Sequence, residues 1–483
     1  MDFFSKLSEG ISLAVGAANN VLWGPIMLVL LVGTGVLLTV GTRFFQVTKF
    51  GHVIRNTFLK LFRRHEKSDD KGALSPLQAL STALAGTIGT GNIVGVAGAI
   101  AVGGPGAVFW MWIAAFFGMM TKYAEAVLAV KYREKNAKGE WSGGPMYYIT
   151  NGLGKNWKWL AMLFAALAAL ASFGIGNMTQ INSMAKSIES AFGVPVLMTG
   201  IVVAAIVAVV VIGGVKRVGK VTAAIVPFMS ALYIIGAVIV LICNIKNLPA
   251  AFVSIFQGAF RPQSIFGGVT GYTISLAITK GMARGVFSNE AGLGSAPIAH
   301  AASSEKEPVR QGLYGVFEVF VDTIVVCTLT SLTILSAPGT ESYITGFAGR
   351  LGEIDGASLT SQAFASVFGS GLAQAFIAVA IFFFAFSTII GWSYYGEKCT
   401  EYLFGAKAVM VYKLLFVAFL VVGACLKIGL VWDLADMLNG LMAIPNLIAL
   451  LGLSGVVFKL TKEYIQNKDN FPEKLDKNRN LKA

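Results

Sequence analysis

Charge is what this sequence has least of. Only 13% of its 483 residues are Asp, Glu, Lys or Arg, about half of the roughly 25% usual in soluble domains. That density excludes an ordinary water-facing globular surface. Histidine and cysteine are scarce too. His52, His65 and His300 are scattered along the chain, and no nucleophile–base pair stands out, which speaks against a membrane enzyme. Cys243, Cys327, Cys399 and Cys425 have no metal-ligand spacing; three lie in apolar segments, where cysteine behaves as a small buried hydrophobe. Residues 1–10 carry Asp2 and Glu9 and no basic n-region, so no cleavable signal peptide is expected there. No organic cofactor is implied.

Apolar residues fill the gap. They make up 55% of the chain, the mean hydropathy is +0.70, and runs of about 20 recur, the length that crosses a bilayer as helix. The net charge of +13 does not point to nucleic acid, because the excess sits in short loops between these runs, where it sets membrane orientation. The expected spans cover residues 21–42, 73–102, 107–130, 157–190, 194–214, 221–243, 268–292, 311–335, 371–393, 409–426 and 431–457. The loop 43–71 is basic and spaces Phe44, Phe45, Val47, Phe50, Val53, Ile54, Phe58 and Leu61 as an amphipathic helix on a membrane surface would. It shares one side with the basic loops after residues 130 and 214 and with the tail 458–483. The positive-inside rule therefore predicts about eleven spans, with the N-terminus outside and the C-terminus cytoplasmic.

The second span carries the function. Gly86, Gly89 and Gly91 crowd its middle together with Thr87, Thr90 and Asn92. Glycine costs about 1 kcal/mol against alanine within a helix, so three at one depth favour a helix that stops and restarts. Freed carbonyls suit a cation and a half-helix N-terminus suits a carboxylate. Close packing through small residues explains the glycines alone; it does not explain an Asn and two Thr at the same depth. A second interruption is expected in 268–292, where Thr279, Lys280, Gly281 and Arg284 make a span polar. Setting the first span aside leaves five plus five, with an interrupted helix heading each half from opposite sides. That is the pattern of inverted repeats with a midplane site. The expected division is 1–72, an extra span and cytoplasmic loop; 73–243, the first five-helix repeat; 244–267, an external loop; 268–457, the second repeat; and the tail.

Three strings carry a family resemblance: Gly86-Thr87-Ile88-Gly89-Thr90-Gly91-Asn92-Ile93-Val94-Gly95-Val96 with Gly103-Gly104-Pro105-Gly106 after it, Arg284-Gly285-Val286-Phe287-Ser288-Asn289-Glu290-Ala291-Gly292-Leu293-Gly294, and Phe386-Ser387-Thr388-Ile389-Ile390-Gly391-Trp392. They resemble the alanine/glycine:cation symporter family over about residues 21–457. The resemblance implies an all-α LeuT-type fold, sodium-coupled import of alanine and glycine, and a multi-pass protein of the cell membrane. It also implies that backbone N–H groups of Gly89 to Gly91 hold the substrate carboxylate. Sodium would be bound by the carbonyls of Ala85, Ile88 and Phe384 and the hydroxyls of Ser387 and Thr388, with a second sodium near Thr87 and Asn92. Proton coupling is the alternative within that class; a passive pore is the alternative outside it, but one chain with two unlike breaks supplies neither a repeated filter nor a ring of charge.

Other polar residues are read by position. Trp392, one turn beyond Thr388, faces the same way; it serves as an interfacial anchor or, with Phe173, as the wall of a pocket for a one-methyl side chain. Asn177 and Gln180 either reach the substrate or bond between helices. Thr279 and Gly281 would line the second break. Lys280 and Arg284 would pair across helices with Glu318 and Asp322 in a structural or gating bridge, since an unpaired intramembrane charge costs roughly 2.5–3.5 kcal/mol or more. A proton relay, or Asp322 as a cation ligand, are the competing roles. Lys122, Glu125 and Glu290 are expected near an interface, serving structure. A monomer is the default.

Overall fold

The computed structural model describes residues 10, 14–61, 72–260, 274–345, 354–426 and 428–467, and these are overwhelmingly helical. Arg63, Arg64, His65, Lys67, Lys71, Arg350, Glu353, the start of the seventh expected span and the tail beyond residue 467 lie outside the described residues.

Helices α1 (Ala14–Leu22) and α2 (Pro25–Gly41) form one bent apolar pair. Helix α3 (Phe50–Asn56) follows. Helix α4 (Pro76–Thr87) starts cleanly because Ser75 and Gln78 cap each other reciprocally and Pro76 fills the first turn. It is bent by 56° against the segment ending in α5 (Val94–Gly103). Next come α6 (Gly106–Lys131), α7 (Lys158–Phe173) joined through a π-turn at Gly174–Met178 to α8 (Thr179–Phe192), α9 (Val196–Ile212) and α10 (Gly214–Cys243).

The region expected as an external loop, 244–267, contains instead a helix, α11 (Leu248–Phe260), that buries Ala251, Ile255, Gly258 and Ala259 against α6. Its alanines and glycine allow close approach: a Cβ on Gly106 would lie 2.2 Å from the Gly258 carbonyl. Helices α12 (Ile274–Asn289) and α13 (Ala296–Ala301) follow. Then α14 (Pro308–Val319) runs through a π-helical stretch, Phe320–Cys327, into α15 (Thr328–Ser336). The chain closes with α16 (Gly356–Phe368), α17 (Ser370–Phe404), α18 (Ala408–Cys425), α19 (Ile428–Gly452) and α20 (Ser454–Gln466).

Among the described residues, seven single helices are long and apolar enough to cross a membrane, or up to nine spans if each bent pair counts as one. Two of the eleven expected spans fall short of that measure: α9, with 17 residues, and the α12–α13 pair, whose polar centre lowers its hydropathy. Helix α17 has 35 residues, about 52 Å at 1.5 Å per residue, so it overruns a hydrocarbon core of about 30 Å. The expected span stopped at residue 393; the surplus carries Lys398, which meets Glu140 at 3.3 Å and Glu401 at 2.9 Å.

Two packing groups result. Helices α5, α12, α13 and α14 gather on α6, while α7 and α8 pack on α17 and α9 on α18. Helix α4 touches both groups, through α13 on one side and α17 on the other. Cys327 and Cys399 are buried as expected; Cys243 and Cys425 instead sit on the exterior.

Candidate functional site

The first break lies where the glycines predict it. Helix α4 ends at Thr87, Ile88 and Gly89 are extended, and a 3-10 turn at Thr90–Asn92 leads into α5. Every residue from Ala79 to Ala97 is buried, so each freed polar group needs a partner inside the protein. Gly89 N–H donates to Asn92 Oδ1 at 2.9 Å. Thr90 donates through both its N–H (3.1 Å) and its hydroxyl (3.0 Å) to Gln180 Oε1. Gln180 is fixed in turn by its amide N–H on Ile175 O, 2.8 Å away, in the π-turn before α8.

On the α4 side, Thr388 Oγ1 lies 3.3 Å from Ile88 O and 3.0 Å from Phe384 O, and Ser387 Oγ lies 2.9 Å from Phe384 O. Contact between small residues permits this. A Cβ on Gly391 would stand 2.8 Å from Gly86 N and 3.3 Å from the Ala85 carbonyl carbon, so α17 and α4 touch backbone to backbone. A Cβ on Gly89 would fall 2.5 Å from Thr388 Oγ1 and 3.1 Å from Gln180 Oε1. Gly89→Ala is therefore expected to fold yet weaken alanine binding about tenfold or more, because forcing a methyl into a filled site costs about 1–3 kcal/mol; equilibrium binding on the purified protein checks this.

The second break is not where the polar residues suggested. Thr279, Lys280, Gly281 and Arg284 sit inside the uninterrupted helix α12, and the chain breaks at Glu290–Ser295. Long polar side chains do not stop a helix. Residues held at positive φ do: Glu290 (φ 55), Gly292 (φ 90) and Gly294 (φ 79). Thr279 is thus about 16 Å of helix before the break, at 1.5 Å per residue. Gly281 serves packing, since a Cβ there would lie 2.3 Å from Ala107 O.

The expected ion pairs are also rearranged. Arg284 pairs with Asp436 of α19 through two hydrogen bonds, 2.9 and 2.8 Å, and its guanidinium lies over the rings of Phe287 and Trp432. No ion pair joins Lys280 or Arg284 to Glu318 or Asp322 among the described residues. Lys122, expected near an interface, is fully buried and pairs with Glu318 at 3.2 Å. It also donates to Asn289 O, the end of α12, at 2.8 Å. Glu318 further accepts from Thr87 (2.5 Å) and meets His300 Nε2 at 3.0 Å. Asp322 accepts from Asn92 (2.6 Å), Ser288 (2.9 Å) and Thr323 (2.7 Å). Glu125, also buried, accepts the N–H groups of Gly292 and Gly294, both at 3.1 Å, and the Asn446 amide at 2.6 Å. Lys122 and Glu125 of α6, the helix after the first broken pair, thus hold the second break, and Glu318 of α14 with Asp322 just beyond it, after the second broken pair, help to hold the first. Four carboxylates are fully buried here, and only Glu318 has a basic partner among the described residues.

Trp392 is wholly buried, which removes the interfacial-anchor reading. Phe173 does not accompany it; that ring packs on Tyr412, Phe416 and Phe419. Asn177 donates to Phe416 O at 2.6 Å, a bond between helices. Phe287 stands nearer the first break than Phe173, with Cδ1 3.1 Å from where a Cβ on Gly91 would be. Phe287, Glu125, Lys122 and His300 were missed as site residues. The readable signal for Lys122 and Glu125 was charge inside an apolar run, and for Phe287 its place three residues before the left-handed turn.

Both ends of the site are tied. On one side lies the Arg284–Asp436 pair. On the opposite side Leu74 exchanges backbone hydrogen bonds with Ala302 and Ser304, and Arg133 donates to the carbonyls of Ala301, Ser303 and Glu305.

Comparison with known proteins gives consistent matches. The profile of the sodium:alanine symporter family matches residues 8–478. A sodium/alanine symporter of Methanococcus maripaludis is 48% identical over 458 residues, 94% of this chain and 98% of its own. A probable sodium/glutamine symporter of Bacillus subtilis is 40% identical, over 94% of this chain and 91% of its own. A crystallised manganese transporter of Eremococcus coleocola, 13% identical, superposes with a TM-score of 0.49 over 80% of this chain and 78% of its own.

Proposed function

The chain belongs to the sodium:alanine symporter family, and from that premise we propose that it imports alanine and glycine together with sodium by alternating access. It is a cation-coupled amino-acid symporter of the membrane, not an enzyme. The proposed topology has eleven crossings, the N-terminus outside and the C-terminus in the cytoplasm. Its core is a LeuT-type pair of five-helix repeats over 73–243 and 268–457.

One observation carries the reading: the carbonyl end of α4 and the donor groups before α5 meet at one break. Carbonyls of Ala85, Ile88 and Phe384 with the hydroxyls of Ser387 and Thr388 offer five neutral oxygens to sodium. The negative end of the α4 dipole faces the same point. Beside it, Gln180 Oε1 accepts from Thr90 N–H and Thr90 Oγ1, as a substrate carboxylate would; the amino acid replaces that oxygen and takes N–H groups of Gly89 to Gly91. Trp392 and Phe287 wall the small side chain. Ion and substrate order the same few residues, so each binds more tightly once the other is present. A second sodium is placed near Thr87 and Asn92, whose side chains meet the Glu318 and Asp322 carboxylates. Release of the Arg284–Asp436 pair would open the site outward, and release of Arg133 and Leu74 would open it inward.

Alanine uptake into proteoliposomes tests this. An inward sodium gradient is expected to drive saturable accumulation that neither potassium nor a proton gradient supports. Accumulation driven equally well by protons alone would overturn the sodium assignment.

A further inference from the structure

Glu290 is the residue at the second break whose carboxylate takes none of the break's backbone N–H groups. The N–H groups of Gly292 and Gly294 go to Glu125, and Ala291 N–H goes to Asn289 Oδ1 at 3.0 Å. The Glu290 carboxylate instead reaches across to α17. Its Oε1 accepts the Trp392 indole N–H at 2.6 Å, and its Oε2 accepts the Ser295 hydroxyl at 2.6 Å. It is 1% exposed and has no basic side chain in ion-pair contact among the described residues. Its φ of 55 is one that glycine adopts more readily, and glycine is what stands at 292 and 294. A strained backbone and a buried unpaired carboxylate at one position call for a task that the side chain performs.

The indole supplies that task. Trp392 is held behind by Gly176, where a Cβ would lie 2.1 Å from Trp392 Cβ, and at its edge by Tyr395, 5.4 Å between ring centres. Its N–H, in the interior of the membrane, must find an acceptor. We propose that Glu290 is a positioning residue that sets the size limit of the substrate pocket by fixing the Trp392 indole from the second break. This rests on the reading of Trp392 as a pocket wall. The bond spans the two packing groups, so the wall is locked only while the second break sits against α17.

The test compares sodium-driven uptake of alanine and of leucine, as the ratio of their kcat/KM values, in proteoliposomes. Trp392→Phe keeps a ring and removes the N–H, and is expected to lower the alanine-to-leucine ratio about tenfold, the scale of discrimination by pocket size. E290M is expected to do the same, and the double variant E290M/W392F to fall no further than the worse single, because both remove one interaction. E290Q is expected to keep the ratio, since its amide oxygen still accepts from the indole and its amide nitrogen still meets Ser295. E290D, one methylene short, is expected to lower it. This last pair decides the matter even if E290M is not produced in folded form. A ratio preserved in E290D and lost in E290Q would make charge, not the indole bond, the feature that matters, and the proposal would fall. An unchanged ratio in Trp392→Phe with uptake intact would remove the wall reading itself. A lowered ratio there with an unchanged one in E290M would remove only the role of Glu290.

Discussion

Replacing Ser387 and Thr388 together with alanine is expected to abolish sodium stimulation of alanine uptake while the protein remains folded in the membrane. Two of five proposed oxygens disappear, and the three left are backbone carbonyls. A hydrogen bond to a charged group is worth about 1.5–3 kcal/mol; taken as the scale for an ion–hydroxyl contact, two losses weaken sodium binding about 10²- to 10⁴-fold at 1.4 kcal/mol per tenfold. At ordinary sodium concentrations the site would then be empty. The control lies in the same helix. Ser393 Oγ donates to Ile390 O at 2.7 Å, an ordinary bond to its own helix, and Ser393→Ala should leave sodium dependence unchanged. Titration of uptake rate against sodium distinguishes the two, and an unaltered sodium curve in the double variant would end the assignment of this site.

The second large effect concerns stability. Lys122→Met is expected to destabilise the protein by about 3–5 kcal/mol, the usual cost of leaving one member of a buried ion pair alone. Glu318 would keep His300 and Thr87 but lose its amine, and the carbonyl of Asn289 would lose its donor. Adding Glu318→Gln removes the stranded charge, so the double variant should recover much of the loss. Thermal unfolding in detergent, followed by retained monodisperse protein, reads this directly. The double variant is still expected to transport poorly, because this pair joins Thr87 at the first break to Asn289 at the second. If Lys122→Met melts like the parent, the amine is not buried as described.

How much of this was legible varies by residue, and the reason is consistent. Gly86, Gly89 and Gly91 announced the first break because glycine's cost in a helix is a local property. Glu290 and the turn after it were passed over in favour of Thr279–Gly285, because polarity was taken as the sign of interruption. Polar side chains are tolerated in a helix that can turn them onto partners; Arg284 does so with Asp436, 152 residues away. The partner could not be read from spacing, since i, i+4 pairs describe neighbours on one helix only. Lys122 and Glu125 were placed near an interface for the same reason: their partners, Glu318 and Asn446, come from helices distant in sequence. The helix within 244–267 was missed because at 13 residues it is too short for a span, and its buried face, Ala251, Ile255, Gly258 and Ala259, is mostly small residues that signal packing.

The sequence by itself determined that this chain is a polytopic helical membrane protein with a broken second span, and its motifs resembled those of one family. Those features are set by hydropathy, by glycine's backbone freedom and by loop charge, all of which act over a few residues. Only the tertiary structure decided which acid meets which base, that Gln180 and Thr388 flank Gly89, and that Glu290 reaches Trp392. In the membrane interior a polar group must take the partner that packing brings to it, and packing between helices is a property of the folded whole.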